Sequence, residues 1–165
     1  HILKADFLRS VIVFCSTKDS AKRLTRELKK TDLSVEEIHS DLEQKAREDV
    51  LSQFKSRKLK VLVATDILAR GIDVEDIDIV INYDVPNDGE DYIHRIGRTA
   101  RAASKGAAFT FVNEKEQSKF LTIEELLGKP VPKAKIPTYI GEGPAYEPKP
   151  RRGGGGRRRP FKKKK

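Results

Sequence analysis

Short apolar runs rich in β-branched residues alternate along this chain with segments that have the spacing of amphipathic helices. The runs that resemble buried strands cover residues 10–15, 60–65 and 77–83; residues 34–40 are predicted as a weaker strand and residues 106–112 as a further strand. Strands buried on both faces read as continuous apolar runs, and their alternation with helices is typical of a parallel sheet covered on both sides. The pattern therefore predicts an α/β fold.

Four segments are predicted to be helical. The predicted helices cover residues 21–30, 43–56, 89–98 and 114–128. The first places Ala21, Leu24 and Leu28 at helical intervals after the possible caps Ser16, Thr17, Asp19 and Ser20, and the second places Ala46, Val50, Leu51 and Phe54 on one face. Gly128 and Pro130 are expected to end the last helix, because glycine suits a C-cap and proline cannot continue a helix.

Polar residues follow several of the predicted strands. Ser16 and Thr17 come after the first strand, Thr65 and Asp66 after the third, and Asp84 after the fourth. Right-handed crossovers bring the carboxyl ends of parallel strands to one edge of the sheet, where ligands usually bind. The sequence therefore predicts one functional edge.

The charge of the chain is concentrated in its last part. Residues 129–165 contain 13 Lys and Arg and two acids, a net charge of +11, whereas the whole chain carries +9, which leaves +9 − 11 = −2 for residues 1–128. We therefore divide the chain into a domain at 1–128 and a basic tail at 129–165. The tail is rich in Pro and Gly without apolar periodicity, and we expect it to be disordered. It predicts a salt-sensitive nucleic-acid anchor, with a solubilising tail or a targeting signal as the alternatives.

Several classes of site are not indicated by the sequence. The chain has no G-x-x-x-x-G-K-[ST] phosphate loop, and its three histidines and single cysteine show no metal-ligand spacing. Cys15 alone cannot form an internal disulfide, and no apolar run approaches the about 18 residues that would span a membrane. The chain lacks an initiator methionine and a signal-peptide pattern, and we expect it to be a piece of a longer polypeptide.

Two motifs indicate anion binding. Residues 94–101 read HRIGRTAR and gather three arginines, whose forks suit phosphate oxygens, although a solvated basic face is the usual explanation of such a run. Residues 61–74 read VLVATDILARGIDV, in which a strand end and Gly71 could hold a phosphate or a sugar. The alternative for the second motif is a capped loop in which Asp66 pairs with Arg70.

Five segments between residues 11 and 101, in this order, closely resemble the C-terminal motor domain of the DEAD-box RNA helicases. They read IVFCST, DLEQKAR, VLVATDILARGIDV, INYDVP and YIHRIGRTAR, with Ala100 where glycine is common in the family. The resemblance implies a RecA-like three-layer α/β/α sandwich with a mainly parallel sheet. It also implies a separate N-terminal RecA-like domain that carries the Walker A lysine and the DEAD box and holds ATP with Mg²⁺.

The resemblance assigns roles to individual residues. Arg98 and Arg101 would reach the γ-phosphate as arginine fingers, Asp73 would contact the ribose, and His94 and Arg95 would link to the DEAD-box half. The residues that would contact the RNA backbone, with weak sequence preference, are Ser16, Thr17, Gln44, Arg47, Thr65 and Arg70.

The resemblance also implies limits and alternatives. Alone, this chain would not hydrolyse ATP, because the Walker A and DEAD motifs are absent from it. A non-catalytic RNA-binding module and a DNA translocase are the alternative functions. A cytoplasmic location is expected for a bacterial-type protein and a nuclear or nucleolar one for a eukaryotic protein, and the oligomeric state is left open.

Overall fold

A computed structural model describes residues 2–5, 8–65, 74, 77–99 and 106–149. The strands are β1 (Val11–Cys15), β2 (Val35–Ile38), β3 (Val61–Thr65), β4 (Ile79–Asn82) and β5 (Ala107–Thr110). The α-helices are α1 (Lys18–Leu28), α2 (Gln44–Lys55), α3 (Gly89–Ile96) and α4 (Gln117–Leu127), and short 3-10 helices cover Ile2–Lys4, Glu114–Glu116 and Thr138–Ile140. Each of the five predicted strands is present, shorter at its ends than the apolar run that predicted it.

The five strands form one sheet in the order β2-β3-β1-β4-β5, and every pair of neighbours is parallel. Strand β1 lies at the centre, with Val11 opposite Val61 of β3 on one side and Ile79 of β4 on the other. Strand order therefore reverses at β1, which is the position where open α/β sheets form a ligand crevice. The predicted RecA-like α/β fold is confirmed.

Alternate side chains of the sheet are buried under different helices. Val11 and Val13 belong to a cluster that includes Ala21 of α1, whereas Ile12 and Phe14 pack in a cluster that includes Phe54 of α2. Successive side chains of a strand point to opposite faces, so the two clusters lie on opposite sides of the sheet. The sheet is the middle layer of the predicted three-layer sandwich.

Local signals explain where the helices begin and end. Thr17, one of the predicted caps, accepts a hydrogen bond from the backbone N–H of Ser20 and caps α1, which begins three residues earlier than predicted. Gly128 follows α4 with φ of 65°, the left-handed conformation that favours glycine. In α2 the predicted face holds for Val50 and Phe54 and in part for Leu51, but Ala46 is exposed.

Asp78 ties together the amino ends of the strands. Its Oδ2 accepts hydrogen bonds from the backbone N–H groups of Arg9 and Ser10 at 2.7 and 2.9 Å. Its carbonyl accepts from Ala107 N at 3.1 Å and from Thr99 Oγ1 at 3.4 Å. One residue thus joins the beginnings of β1, β4 and β5 to the segment that follows α3.

Residues 131–149, the C-terminal strap, differ from the expectation of disorder. The backbone of the strap is hydrogen-bonded to Glu124, Gln117 and Ser118 of α4. Tyr146 packs edge-on against Phe120 with ring centroids 6.3 Å apart. A few anchoring side chains therefore hold a segment that has no apolar periodicity of its own. The division of the chain at residue 128 stays a prediction, and residues 150–165 lie outside the described residues.

Within the described ranges, no helix combines the length and the apolar character needed to cross a bilayer.

Candidate functional site

The carboxyl edge of the sheet brings three of the predicted RNA-contacting residues together. Cys15 pairs with Thr65, so Ser16 and Thr17 follow β1 beside the end of β3. The backbone N–H of Ser16 donates to Asp84 Oδ2 at 2.8 Å, which ties the loop after β1 to the loop after β4. Ser16 and Thr17 are exposed, whereas Thr65 is 9% exposed. Hydroxyl and N–H groups of this kind are typical contacts of a nucleic-acid backbone.

The first turn of α2 lies at the same edge. Helix α2 follows β2, and Ile38 at the end of β2 is paired with Ala64 of β3. Gln44 is exposed and its Nε2 donates to Glu48 Oε1 at 2.7 Å. Arg47 Nε donates to the carbonyl of Leu42 at 3.0 Å, which fixes the base of the guanidinium group. Gln44 and Arg47 therefore add polar side chains to the carboxyl edge of the sheet on the far side of β3.

Two lysines at this edge were not among the predicted site residues. Lys18 and Lys22, one turn apart on α1, both bind the carboxylate of Asp41, at 2.9 and 2.7 Å. Hydrogen bonds from Lys22 and then Lys18 lower the pKa of the Asp41 carboxyl to about 2, and the pKa of Lys22 is raised mainly by the same hydrogen bond. The carboxylates of Asp19 and Glu37 also raise the pKa of Lys22, so acids and lysines are interspersed here. The i, i+4 spacing of the two lysines beside Thr17 was a usable sequence signal.

Arg95 lies inside the fold. It is 4% exposed, its Nη1 donates to Asn82 Oδ1 at 3.0 Å, and its guanidinium carbon lies 5.1 Å from the centre of the Phe14 ring. Asn82, which is 0% exposed, in turn donates from Nδ2 to Thr110 Oγ1 at 3.0 Å. The contacts described here are internal to the domain, and the interdomain role of Arg95 stays a prediction. His94 beside it is exposed.

The segment that contains Arg98 lies away from the carboxyl edge, on which the expectation of one functional edge was based. Helix α3 returns from the carboxyl edge, and Thr99 Oγ1 donates to the carbonyl of Asp78, which directly precedes β4. A crossover helix runs antiparallel to the strands, so its end lies at their amino ends. Arg95 reaches back to Asn82 because helical side chains lean toward the N-terminus of the helix. The backbone of Arg98, a partly exposed residue, therefore lies away from Ser16 and Thr17.

Three of the predicted site residues, Arg70, Asp73 and Arg101, lie outside the described residues, as does Asp66. Across the ranges that the structure describes, no group of three or more His, Cys, Asp and Glu side chains is arranged to hold a metal ion.

The sequence and the fold both match known helicase domains. Residues 1–103 match the family described as the helicase conserved C-terminal domain. The ATP-dependent rRNA helicase RRP3 of Candida glabrata is 44% identical over 140 residues, which are 85% of this chain and 28% of that protein. The ATP-dependent RNA helicase FAL1 of Kluyveromyces lactis is 45% identical over 113 residues, 68% of this chain and 28% of that protein. The chain thus spans less than a third of these curated relatives.

Solved structures give the same result. The E. coli DEAD-box protein SrmB, bound to regulator of ribonuclease activity A, aligns with a TM-score of 0.78 and 30% identity over 90% of this chain and 86% of that chain. A DEAD box protein from Methanococcus jannaschii aligns with a TM-score of 0.75 and 42% identity over 81% of this chain and 37% of that chain. The chain belongs to the DEAD-box RNA helicase family, of which it is a C-terminal helicase domain.

Proposed function

We propose that this chain is the C-terminal motor half of an ATP-dependent RNA helicase, which holds the RNA backbone along the carboxyl edge of its sheet. One observation carries the proposal: the pairing of Cys15 with Thr65 places the hydroxyl residues 16, 17 and 65 together, beside the start of α2. Contacts with phosphate and ribose carry no base information, so the sequence preference is weak. Ser16, Thr17, Gln44, Arg47 and Thr65 bind here, and Arg70 joins them.

The second part of the proposal concerns ATP. Arg98 and Arg101 act as arginine fingers on the γ-phosphate of ATP that a separate N-terminal RecA-like domain holds, and Asp73 contacts its ribose. Mg²⁺ is held mainly by that N-terminal domain and neutralises charge on the phosphates when bound. An arginine supplied in trans contributes about 10³–10⁵ in rate to phosphoryl transfer. The chain by itself therefore hydrolyses no ATP.

The separation of the two groups of residues supports a coupling of RNA binding to hydrolysis. Ser16 and Thr17 lie at the carboxyl ends of the strands, whereas the backbone of Arg98 lies toward their amino ends. RNA at one end of the strands and ATP at the other can therefore each contact both this domain and the N-terminal domain. Closure on both ligands then brings the fingers to ATP, bends the RNA strand and separates a local duplex, and His94 and Arg95 support the closed pair.

The test joins this chain to the N-terminal domain of its parent protein and measures ATP hydrolysis with and without RNA. We expect RNA-stimulated turnover that falls by about 10³-fold or more in Arg98→Ala, because the lost finger acts only on the transition state. Arg23→Ala removes an exposed arginine of α1 and serves as the charge-matched control. Full turnover in Arg98→Ala would contradict the finger role and favour a non-catalytic RNA-binding module.

A second comparison separates RNA from DNA. Binding of the chain to single-stranded RNA and to DNA of the same sequence is measured by fluorescence anisotropy over a range of salt concentrations. Tighter binding of RNA is expected, and stronger stimulation of the joined protein by DNA would favour the DNA translocase. The basic residues 151–165 are proposed as an RNA anchor, whose deletion lowers the dependence of binding on salt. The reported relatives include fungal rRNA helicases, and both the cytoplasmic and the nuclear location stay predictions.

A further inference from the structure

His39 is a buried histidine at the carboxyl edge of the sheet to which the proposed function gives no role. It directly follows β2 and is 2% exposed. The ring Nδ1 accepts a hydrogen bond from Asp41 N at 3.3 Å, and the ring Nε2 lies 3.3 Å from Glu37 Oε1. The carbonyl of His39 accepts from Leu42 N at 3.2 Å. Two backbone N–H groups of the turn at residues 39–42 therefore donate to this one residue.

These contacts are compatible with one tautomer of the neutral ring. A backbone N–H can only donate, so Nδ1 carries no proton and Nε2 carries the ring hydrogen. The Nε2–H group then donates to Glu37, whose second carboxylate oxygen is buried without a hydrogen-bond partner among the described residues. The ring thus links β2 to the turn, and a proton on Nδ1 would break this link.

The turn that His39 closes also determines how Arg47 is held. Arg47 lies in the first turn of α2, is partly exposed, and donates from Nε to the carbonyl of Leu42 at 3.0 Å. The direction of that carbonyl depends on the backbone conformation of residues 39–42. A guanidinium group binds a phosphate best through two parallel N–H groups, which requires the correct plane as well as the correct distance. A change in the turn therefore changes how well Arg47 can bind a phosphate.

The other support of the turn is exposed to solvent. The carboxylate of Asp41 binds Lys18 at 2.9 Å and Lys22 at 2.7 Å, which ties the turn to the beginning of α1. The side chains of these lysines are 50% and 37% exposed, and exposed ion pairs contribute little, because water and salt screen them. A hydrogen bond to a buried ring is not screened in this way. His39 is therefore the stronger of the two supports.

We propose that His39 is a positioning residue of the RNA-binding edge, which fixes the turn through the Asp41 N–H and thereby orients the guanidinium group of Arg47 toward an RNA phosphate. This inference rests on the proposed RNA contact of Arg47. His39 acts through Arg47 and does not bind RNA itself, since its side chain is buried. A histidine that only fills the core would leave Arg47 unaffected in any variant of His39 that stays folded.

Two polar replacements of similar shape separate the two contacts of the ring. In His39→Asn the side-chain oxygen takes about the place of Nδ1 and can accept the Asp41 N–H, whereas the contact with Glu37 is lost. In His39→Gln the amide group takes about the place of Nε2, so the contact with Glu37 is kept and the acceptor for Asp41 is lost. Each variant loses one hydrogen bond of a buried ring and is therefore the matched control for the other. Far-UV circular dichroism establishes that both are folded.

The first readout does not need RNA and begins with the unaltered chain. NMR spectra of the chain with ¹⁵N-labelled histidine distinguish the two tautomers of each ring, and the signals of His39 are those that disappear in His39→Asn. We expect a protonated Nε2 and an unprotonated Nδ1. The Nε–H signal of Arg47 should keep its position in His39→Asn and move in His39→Gln. A protonated Nδ1, or an Arg47 signal that is the same in both variants, would overturn the inference whatever the chain does with RNA.

The second readout is the affinity of the full chain for a short single-stranded oligouridylate, measured by fluorescence anisotropy. Arg47→Ala should weaken binding about tenfold, the effect of losing one hydrogen bond between charged groups. His39→Gln should weaken it by about three- to tenfold, because Arg47 is still present but turned, and His39→Asn should bind nearly as tightly as the unaltered chain. The basic segment 151–165 is common to all variants, so it does not contribute to these differences.

A double-mutant cycle identifies the residue through which His39 acts. When Arg47→Ala is already present, adding His39→Gln should cause no further loss of RNA affinity, because the group that His39 orients is gone. Losses that add would mean that His39 affects another part of the domain, which would overturn the inference. If Arg47→Ala binds RNA as tightly as the unaltered chain while the NMR results hold, the proposed RNA contact of Arg47 is contradicted and the placement of Arg47 by His39 is not.

Discussion

Replacement of Asn82 by alanine should destabilise the domain more than the small number of atoms removed from the side chain suggests. Asn82 is 0% exposed and is hydrogen-bonded at 3.0 Å to both Arg95 Nη1 and Thr110 Oγ1. It thus connects the end of β4 to α3 and to β5. Alanine removes an acceptor from a buried cation and a donor from a neighbouring strand in one step.

The magnitude follows from the two hydrogen bonds. A bond to a charged group contributes about 1.5–3 kcal/mol and a neutral one about 0.5–1.5 kcal/mol, so we expect a loss of about 2–4 kcal/mol in the free energy of unfolding. With a urea m-value of about 2 kcal/mol/M, the midpoint should fall by about 1–2 M. Asn82→Asp keeps the acceptor for Arg95, and its loss should be smaller.

Urea denaturation followed by far-UV circular dichroism measures this change, since the chain contains no tryptophan. Asn87→Ala is the control: Asn87 is exposed and accepts from Lys119 Nζ at 3.0 Å, a surface contact for which about 0–1 kcal/mol is expected. Midpoints for Asn82→Ala and Asn87→Ala that agree within error would refute the role given to Asn82.

Two further predictions concern α4 and the strap. Gly128→Ala should cost about 1 kcal/mol in urea denaturation, because φ at this position is 65° and alanine is strained there; no loss would mean that the helix ends differently. Burial acts to raise the pKa of the Glu124 carboxyl, but hydrogen bonds from Lys133, Tyr146 and the Val131 N–H outweigh it and lower the pKa. The resulting stabilisation of the strap is therefore present above the unfolded pKa of about 4.3 and is lost as pH falls through the lower folded value. The amide signals of Val131 and Glu147 followed by NMR between neutral and acidic pH measure this, and signals unchanged by acid would contradict it.

The sequence predicted the middle of the sheet well because β1, β3 and β4 are buried on both faces. Continuous runs such as VIVFC and VLVAT have few other uses in a soluble domain, and their helical connections require parallel pairing. Ser16, Thr17 and Thr65 could be placed at one edge for the same reason. The carboxyl end of a strand is readable from the sequence once the strand itself is recognised.

Two features of the structure could not be predicted from the sequence. The strap depends on Glu124 and Gln117, which look like ordinary helix residues until the chain returns over them. The position of Arg98 depends on where α3 ends. The number of residues between Arg98 and the preceding strand does not show that α3 ends near the amino edge of the sheet. Long-range hydrogen bonds of single polar side chains leave no periodic pattern in the sequence.

The central position of β1 in the sheet has a consequence for how the domain folds during synthesis. Its partners come late in the chain: Arg9, just before β1, meets Asp78 across 69 positions, and β4 follows immediately. Contacts of such separation slow folding, since a long loop must close before they form. On a ribosome, β1 therefore stays apolar and unpaired on one side until β4 has emerged from the exit tunnel, and an unpaired apolar strand edge of this kind is prone to aggregation.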